Sequence, residues 1–89
     1  MLVALIARDK PDALQARLKN RDAHVDYLKS SGVVMQAGPL LDAEGQMCGS
    51  LVVLNVIDMA AAESWAALDP YAKAGVFEDV QLIEWHKVI

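Results

Sequence analysis

An α+β fold of βαββαβ order, with four antiparallel strands in one sheet and two helices on one of its faces, follows from three features of the sequence. Short apolar runs alternate with stretches of helical periodicity, and the two longest helical stretches each lie between two strand-like runs. Asp42 to Gln46 is too short a connection for anything but an antiparallel hairpin. Right-handed crossovers then place both helices on the same side of the sheet, in the plan called ferredoxin-like.

Leu2 to Ala7 is a continuous apolar run containing Val and Ile, of a length that suits a central strand buried on both faces. Pro11 is placed to open a helix with Asp12 beside it, and Leu14, Leu18, Val25 and Leu28 recur at helical spacing as far as Gly32. One long helix is expected there. Val33 to Leu41 resumes as a strand, in which Gly38-Pro39 denies the backbone a donor and points to an edge position or a bulge. Asp42-Ala43-Glu44-Gly45 forms the hairpin loop, and Met47 to Ile57 returns antiparallel. Asp58 is positioned to cap an Ala-rich helix from Ala60 to Leu68, which Asp69-Pro70 stops. Pro70 to Ala74 forms a short helical turn closed by Gly75, and Val76 to Ile89 is the last strand.

The composition sets the function classes that remain. With 89 residues, 55% of them hydrophobic, and a net charge of −4, the chain should pack as one domain over residues 1–89 with room for one site. Its eight basic residues are dispersed or faced by acids, so nucleic acid is not an expected partner. Cys48 is the only cysteine and the two histidines lack metal-ligand spacing, so neither an internal disulfide nor a metal site is expected. Arg8, Asp9 and Lys10 cut the apolar start short of a signal core or membrane span, which gives a cytoplasmic location and no membrane partner. Apolar residues of both parities in Leu2–Ala7 and Leu51–Val56 leave a second sheet face to be covered, and a homodimer is the simplest cover.

The polar residues beside this core are few. On a helical wheel Arg17, Arg21 and His24 line one border of the stripe formed by Leu14, Leu18, Val25 and Leu28. They either form a cationic wall with a proton carrier, or snorkel and fill the core edge as ordinary side chains. Asp69 before Pro70 reads as an N-cap, although one carboxylate oxygen could cap while the other accepts from an imidazole. Tyr71 offers a hydroxyl or simply packs. Gly38-Pro39 and Gly49-Ser50 fall on adjacent strands, where small residues admit a ligand to the backbone with Ser50 as donor, or merely mark a bulge.

RxxH at Arg21–His24, AGPL at Ala37–Leu40, Gly49-Ser50, and DPYAKAGVF at Asp69–Phe77 followed by a strand with Trp85 together resemble the YCII-related family of small proteins, over nearly the whole chain. The resemblance implies a ferredoxin-like fold of the dimeric α+β barrel type and an active-site pair falling on His24 and Asp69. Some members of that family act as dehydrochlorinases on chlorinated hydroxyquinols, and similarly folded muconolactone isomerases shift protons on lactone rings. The expectation is a small cytoplasmic enzyme without metal or organic cofactor that moves a proton on a small anionic or phenolic ring compound. His24 would be the acid/base and Asp69 its orienter, with Arg17, Arg21, Ser50 and Tyr71 holding the substrate. A ligand-binding or dimerisation module without turnover is the alternative.

Overall fold

A computed structural model describes all 89 residues. Its elements are β1 (Leu2–Asp9), α1 (Leu14–Lys19), α2 (Arg21–Ser30), β2 (Val34–Leu41), β3 (Met47–Asn55), α3 (Met59–Leu68), α4 (Pro70–Lys73) and β4 (Phe77–Trp85). The four strands form one antiparallel sheet in the order β2-β3-β1-β4. This is the ferredoxin-like arrangement, with each helical crossover divided into two segments.

β1 is central, as its two-sided apolar run requires, and the alternation of its side chains divides the sheet into two faces. Val3, Leu5 and Ala7 are buried on the helix side with Val52 and Leu54 of β3 opposite them. Val56, Ala62 and Trp65 complete that core, and Tyr27 and Leu28 of α2 pack against it. Each large apolar side chain buried here contributes about 1.5–3 kcal/mol. The Tyr27 hydroxyl donates to the Trp65 carbonyl at 2.8 Å, tying α2 to α3.

The first helical region differs most from the sequence-based expectation. Pro11 and Asp12 form a turn closed by Ala13 N–H donating to the Lys10 carbonyl at 3.2 Å, and Asp12 has φ +62°. Proline followed by a left-handed residue is the signature of a type II turn, so the helix starts at Leu14. It stops at Asn20, whose backbone (φ −103°, ψ 7°) leaves the helix while its side-chain amide donates to the Ala16 carbonyl at 2.8 Å. Asparagine competes for backbone partners in this way and is a poor helix former. The break rephases the helices. Leu18 is 49% exposed, and the buried residues of the two helices are Arg17 and His24.

The remaining ends have simple causes. Asp58 caps α3 by accepting from Ala61 N–H at 2.8 Å. β3 ends at Asn55 and β4 at Trp85 because both residues pair with Leu2, where β1 begins, so neither strand reaches the expected Ile57 or Ile89. In the hairpin loop Asp42 Oδ1 accepts from the N–H groups of Glu44 and Gln46 at 2.9 and 3.0 Å.

β2 occupies the edge, where Pro39 is tolerated, and register shifts interrupt its pairing at both ends. Gly49, expected to let a ligand approach the backbone, instead lets strands approach each other. A Cβ there would collide with the Ala7 carbonyl oxygen and press on Leu40 Cδ1 at 3.1 Å. Gly49→Ala should therefore cost about 2 kcal/mol or more, seen as a lower urea midpoint, because backbone rather than a flexible side chain must yield.

Candidate functional site

Between the sheet and the first two helices lies a cavity of about 210 Å³. Its floor is formed by Ala37, Gly38 and Pro39 of β2 with Met47, Ser50 and Val52 of β3, and Arg17, Arg21, His24, Val25, Leu28 and Tyr71 close it from above. Five of the six residues named from sequence thus share one cavity. The sixth, Asp69, stands behind the wall.

Asp69 is 1% exposed and sits where α3 meets α4. Proline at the next position holds the turn open for a cap, and Asp69 Oδ1 accepts from Tyr71 N–H at 3.0 Å. The same oxygen lies 2.7 Å from His24 Nδ1. The division of labour expected between the two oxygens is therefore not observed, since Oδ1 alone takes both contacts. Donation to this carboxylate puts a proton on Nδ1, so the neutral ring has its lone pair on Nε2. Trp65 Nε1 is the one buried side-chain polar atom without a partner. Nε2 of His24, which bonds no protein group, consequently retains access to the cavity.

Tyr71 stacks on the imidazole, with ring centroids 3.8 Å apart and planes inclined by 10°. Arg17 Cζ lies 4.6 Å from the centre of the same tyrosine ring. Arg17 is 2% exposed, contrary to the border position expected of it. Its Nε and Nη2 donate to Asp9 Oδ2 and Oδ1 at 2.8 and 2.9 Å, and Nη2 also donates to Ser50 Oγ at 3.0 Å. Burial disfavours the buried cation, but the hydrogen bonds and charge of Asp9 outweigh it and hold the Arg17 pKa above its usual value. Arg21 is exposed and forms no salt bridge, so its charge is free to face an anion.

Asp9 is the partner of Arg17 that sequence reasoning missed. It ends β1 at a register shift, eight residues before Arg17, and only the turn at Pro11-Asp12 brings them together. No helical or strand period connects these two positions.

A ferredoxin-like sheet with a buried histidine–carboxylate pair beside a cavity defines the class of this small α+β protein. Residues 1–86 match the YCII-related domain, and the chain belongs to that family. It is 35% identical to Protein YciI of Escherichia coli O6:H1, with 99% of each chain covered. Among solved structures it is similar to 5-chloro-2-hydroxyhydroquinone dehydrochlorinase (TftG) from Burkholderia phenoliruptrix AC1100 in complex with 2,5-dihydroxybenzoquinone. That likeness has a TM-score of 0.90 at 29% identity, covering 97% of this chain and 94% of the other. Rv0793 from Mycobacterium tuberculosis, with a TM-score of 0.65, 14% identity and coverage of 99% and 98%, shares the fold. No helix is long and apolar enough to cross a membrane.

Both tyrosines have raised pKa values. Burial raises Tyr71, partly offset by the charge of Arg17, and burial raises Tyr27 with the charge of Asp69 acting in the same direction. A phenol raised in the folded state keeps a proton that the unfolded chain has lost. The tyrosine contribution to stability should thus be constant below pH ~10 and fall as pH rises through the folded values. Urea titrations from neutral to alkaline pH should show this decline, and Tyr71→Phe should flatten part of it.

Proposed function

We propose that this protein is a small cytoplasmic enzyme that performs acid/base chemistry of the isomerase, lyase or dehydrochlorinase type on a small anionic or phenolic ring compound. The observation that carries the reading is the 2.7 Å contact between His24 Nδ1 and Asp69 Oδ1 behind an open cavity. A carboxylate behind the imidazole fixes its orientation and stabilises the imidazolium that forms when Nε2 takes a proton. The cavity, about 210 Å³, suits one substituted six-membered ring, since ~150 Å³ accommodates benzene. The dehydrochlorinase named above, similar over nearly the whole chain, was crystallised with a ligand of that size.

In this scheme Nε2 removes a proton from a ring hydroxyl or ring carbon, and the released electron pair moves into the ring. Return of the proton at a ring carbon completes an isomerisation; in an elimination that carbon, now tetrahedral, bears a leaving group such as chloride, which departs with its electron pair when a second ring hydroxyl is deprotonated, and Nε2 passes the proton to solvent. Neither route consumes an oxidant or reductant, and the scheme uses no metal or organic cofactor. Arg21 faces the developing negative charge, while Arg17, already paired with Asp9, acts through its remaining donors and Tyr71 holds the imidazole plane.

With a hydroxyquinol or lactone substrate, His24→Ala should lower kcat by about 10²–10⁴-fold, the usual contribution of a positioned acid/base. Asp69→Asn retains an acceptor for the Tyr71 cap and should lower kcat while the urea midpoint changes little by comparison. Steady-state kinetics on both variants is the check. A wild-type protein that binds such rings without turning any over would be a binding module instead.

The assembly proposed is a homodimer closed through the sheet face away from the helices, with no nucleic-acid partner for a chain of net charge −4. Ile6, Leu51 and Val53 lie on that face with Ile83 and Trp85 of β4, of which Leu51, Ile83 and Trp85 are exposed. An apolar face of this kind is covered in most soluble proteins. Sedimentation at micromolar concentration should give twice the chain mass, and Leu51→Asp should shift the protein to monomer with the His24 cavity on the opposite face left intact.

A further inference from the structure

The lining of the cavity changes character along its length. On α2, Arg21, His24 and Leu28 stand one above another at helical spacing with Val25 beside them, so this wall passes from a cation through the imidazole to aliphatic side chains. At ~1.5 Å per residue the imidazole stands about 6 Å from Leu28 along the helix axis. The sheet changes in the same sense. Ser50 is paired with Pro39, and the next residue on the same face of β3, Val52, lies about 7 Å further along and is paired with Ala37.

Two contacts fix which ends coincide. The 3.0 Å bond from Arg17 to Ser50 sets the start of the helical region over the Ser50–Pro39 rung. Leu28 packs against the core cluster that contains Val52. The two walls therefore grade from polar to apolar in parallel, and the far end, formed by Val25, Leu28, Ala37 and Val52, has no polar side chain. A hydroxyl or carboxylate placed there would lose water without gaining a side-chain partner, a cost that a methyl group or halogen does not meet. On the sheet side this end is limited by the methyl group of Ala37, which is exposed on the edge strand. Since ~150 Å³ accommodates benzene, a cavity of about 210 Å³ holds a ring with space left for a small substituent.

We infer that this end is a subsite for an apolar ring substituent, a methyl group or a halogen, and that Leu28 and Ala37 set the size it accepts. The inference rests on the proposed reading of the cavity as a ring-binding site and deepens it. A ring seated in this way turns its oxygen-bearing edge toward Arg21 and carries its apolar substituent toward Leu28 and Val52. His24 stands at the junction, so the position it deprotonates lies between the two. Rings with a charged group at the apolar end are rejected because that group is left without a partner, and rings with a bulky group there are rejected because it meets Leu28 and Ala37.

Calorimetric titration with 2,5-dihydroxybenzoquinone and its 3-methyl derivative tests the subsite. The methyl compound should bind wild type about 4-fold more tightly, the equivalent of ~0.8 kcal/mol for one buried carbon. Ala37→Leu should erase this advantage by weakening the methyl compound more than the parent, whereas Leu28→Ala should shift the preference to the 3-isopropyl derivative. In the wild-type complex the ligand methyl protons should give NOEs to the methyl groups of Leu28 and Val52. Equal affinity of wild type for parent and methyl compound, equal losses for both in Ala37→Leu, or NOEs to the Tyr71 ring in place of Leu28 and Val52 would overturn the inference. If Leu28→Ala does not fold, Ala37→Leu decides the size limit by itself. A wild-type protein that ignores both quinones counts against the proposed function instead, and toluene, which has no oxygen, then decides the subsite. Its methyl protons should give NOEs to Leu28 and Val52, and their absence at millimolar toluene would overturn the inference.

Discussion

One carboxylate oxygen holds the site together. Asp69 Oδ1 receives the backbone N–H that starts α4 and meets the imidazole carried by α2, so a single buried atom joins the second crossover to the first. The contact positions more than the histidine. Because Tyr71 supplies that N–H and its ring stacks on His24, the cap, the stack and the imidazole orientation depend on one another. Losing the carboxylate would leave a buried donor and a buried ring without their common partner, which costs more than a typical hydrogen bond contributes.

The second polar group of the interior follows a different logic. Arg17 is buried beside aromatic rings, an expensive place for a cation, and the bidentate contact with Asp9 is what makes it tolerable. The pair of Arg17 with Asp9 is therefore neutral as a whole, and the exposed Arg21 is the arginine at the cavity that has no carboxylate partner. Two arginines four residues apart thus do different work because one meets a carboxylate and the other does not.

Much of this was legible in the chain. The order of elements along the chain, the hairpin, the choice of an edge position or a bulge for the Gly38-Pro39 strand and the caps at Asp58 and Asp69 follow from local rules, since each depends on neighbours in sequence. His24 and Asp69 were recognisable as a candidate pair because one is an imidazole at a core border, the other a carboxylate fixed before Pro70, and the family resemblance puts its active-site pair on these two positions. The break at Asn20 was not legible from periodicity: the apolar residues on either side continue a plausible stripe, and only a side chain bonding back to Ala16 shows that the phase has changed. Asp9 was hidden for a related reason, since its partner is reached around a left-handed turn that no repeat anticipates.

The position of β2 gives the cavity two unequal sides. β3, which carries Ser50, is bonded to a neighbour along both edges, whereas β2 is bonded along one, lacks a donor at Pro39 and shifts register near each end. Displacing β2 breaks a single ladder, while displacing β3 breaks two. Ser50 consequently stands on the stiff part of the sheet, whereas Ala37, Gly38 and Pro39 line the same cavity from its compliant edge, so the lining strand most able to shift is the one that brings no polar side chain to the cavity.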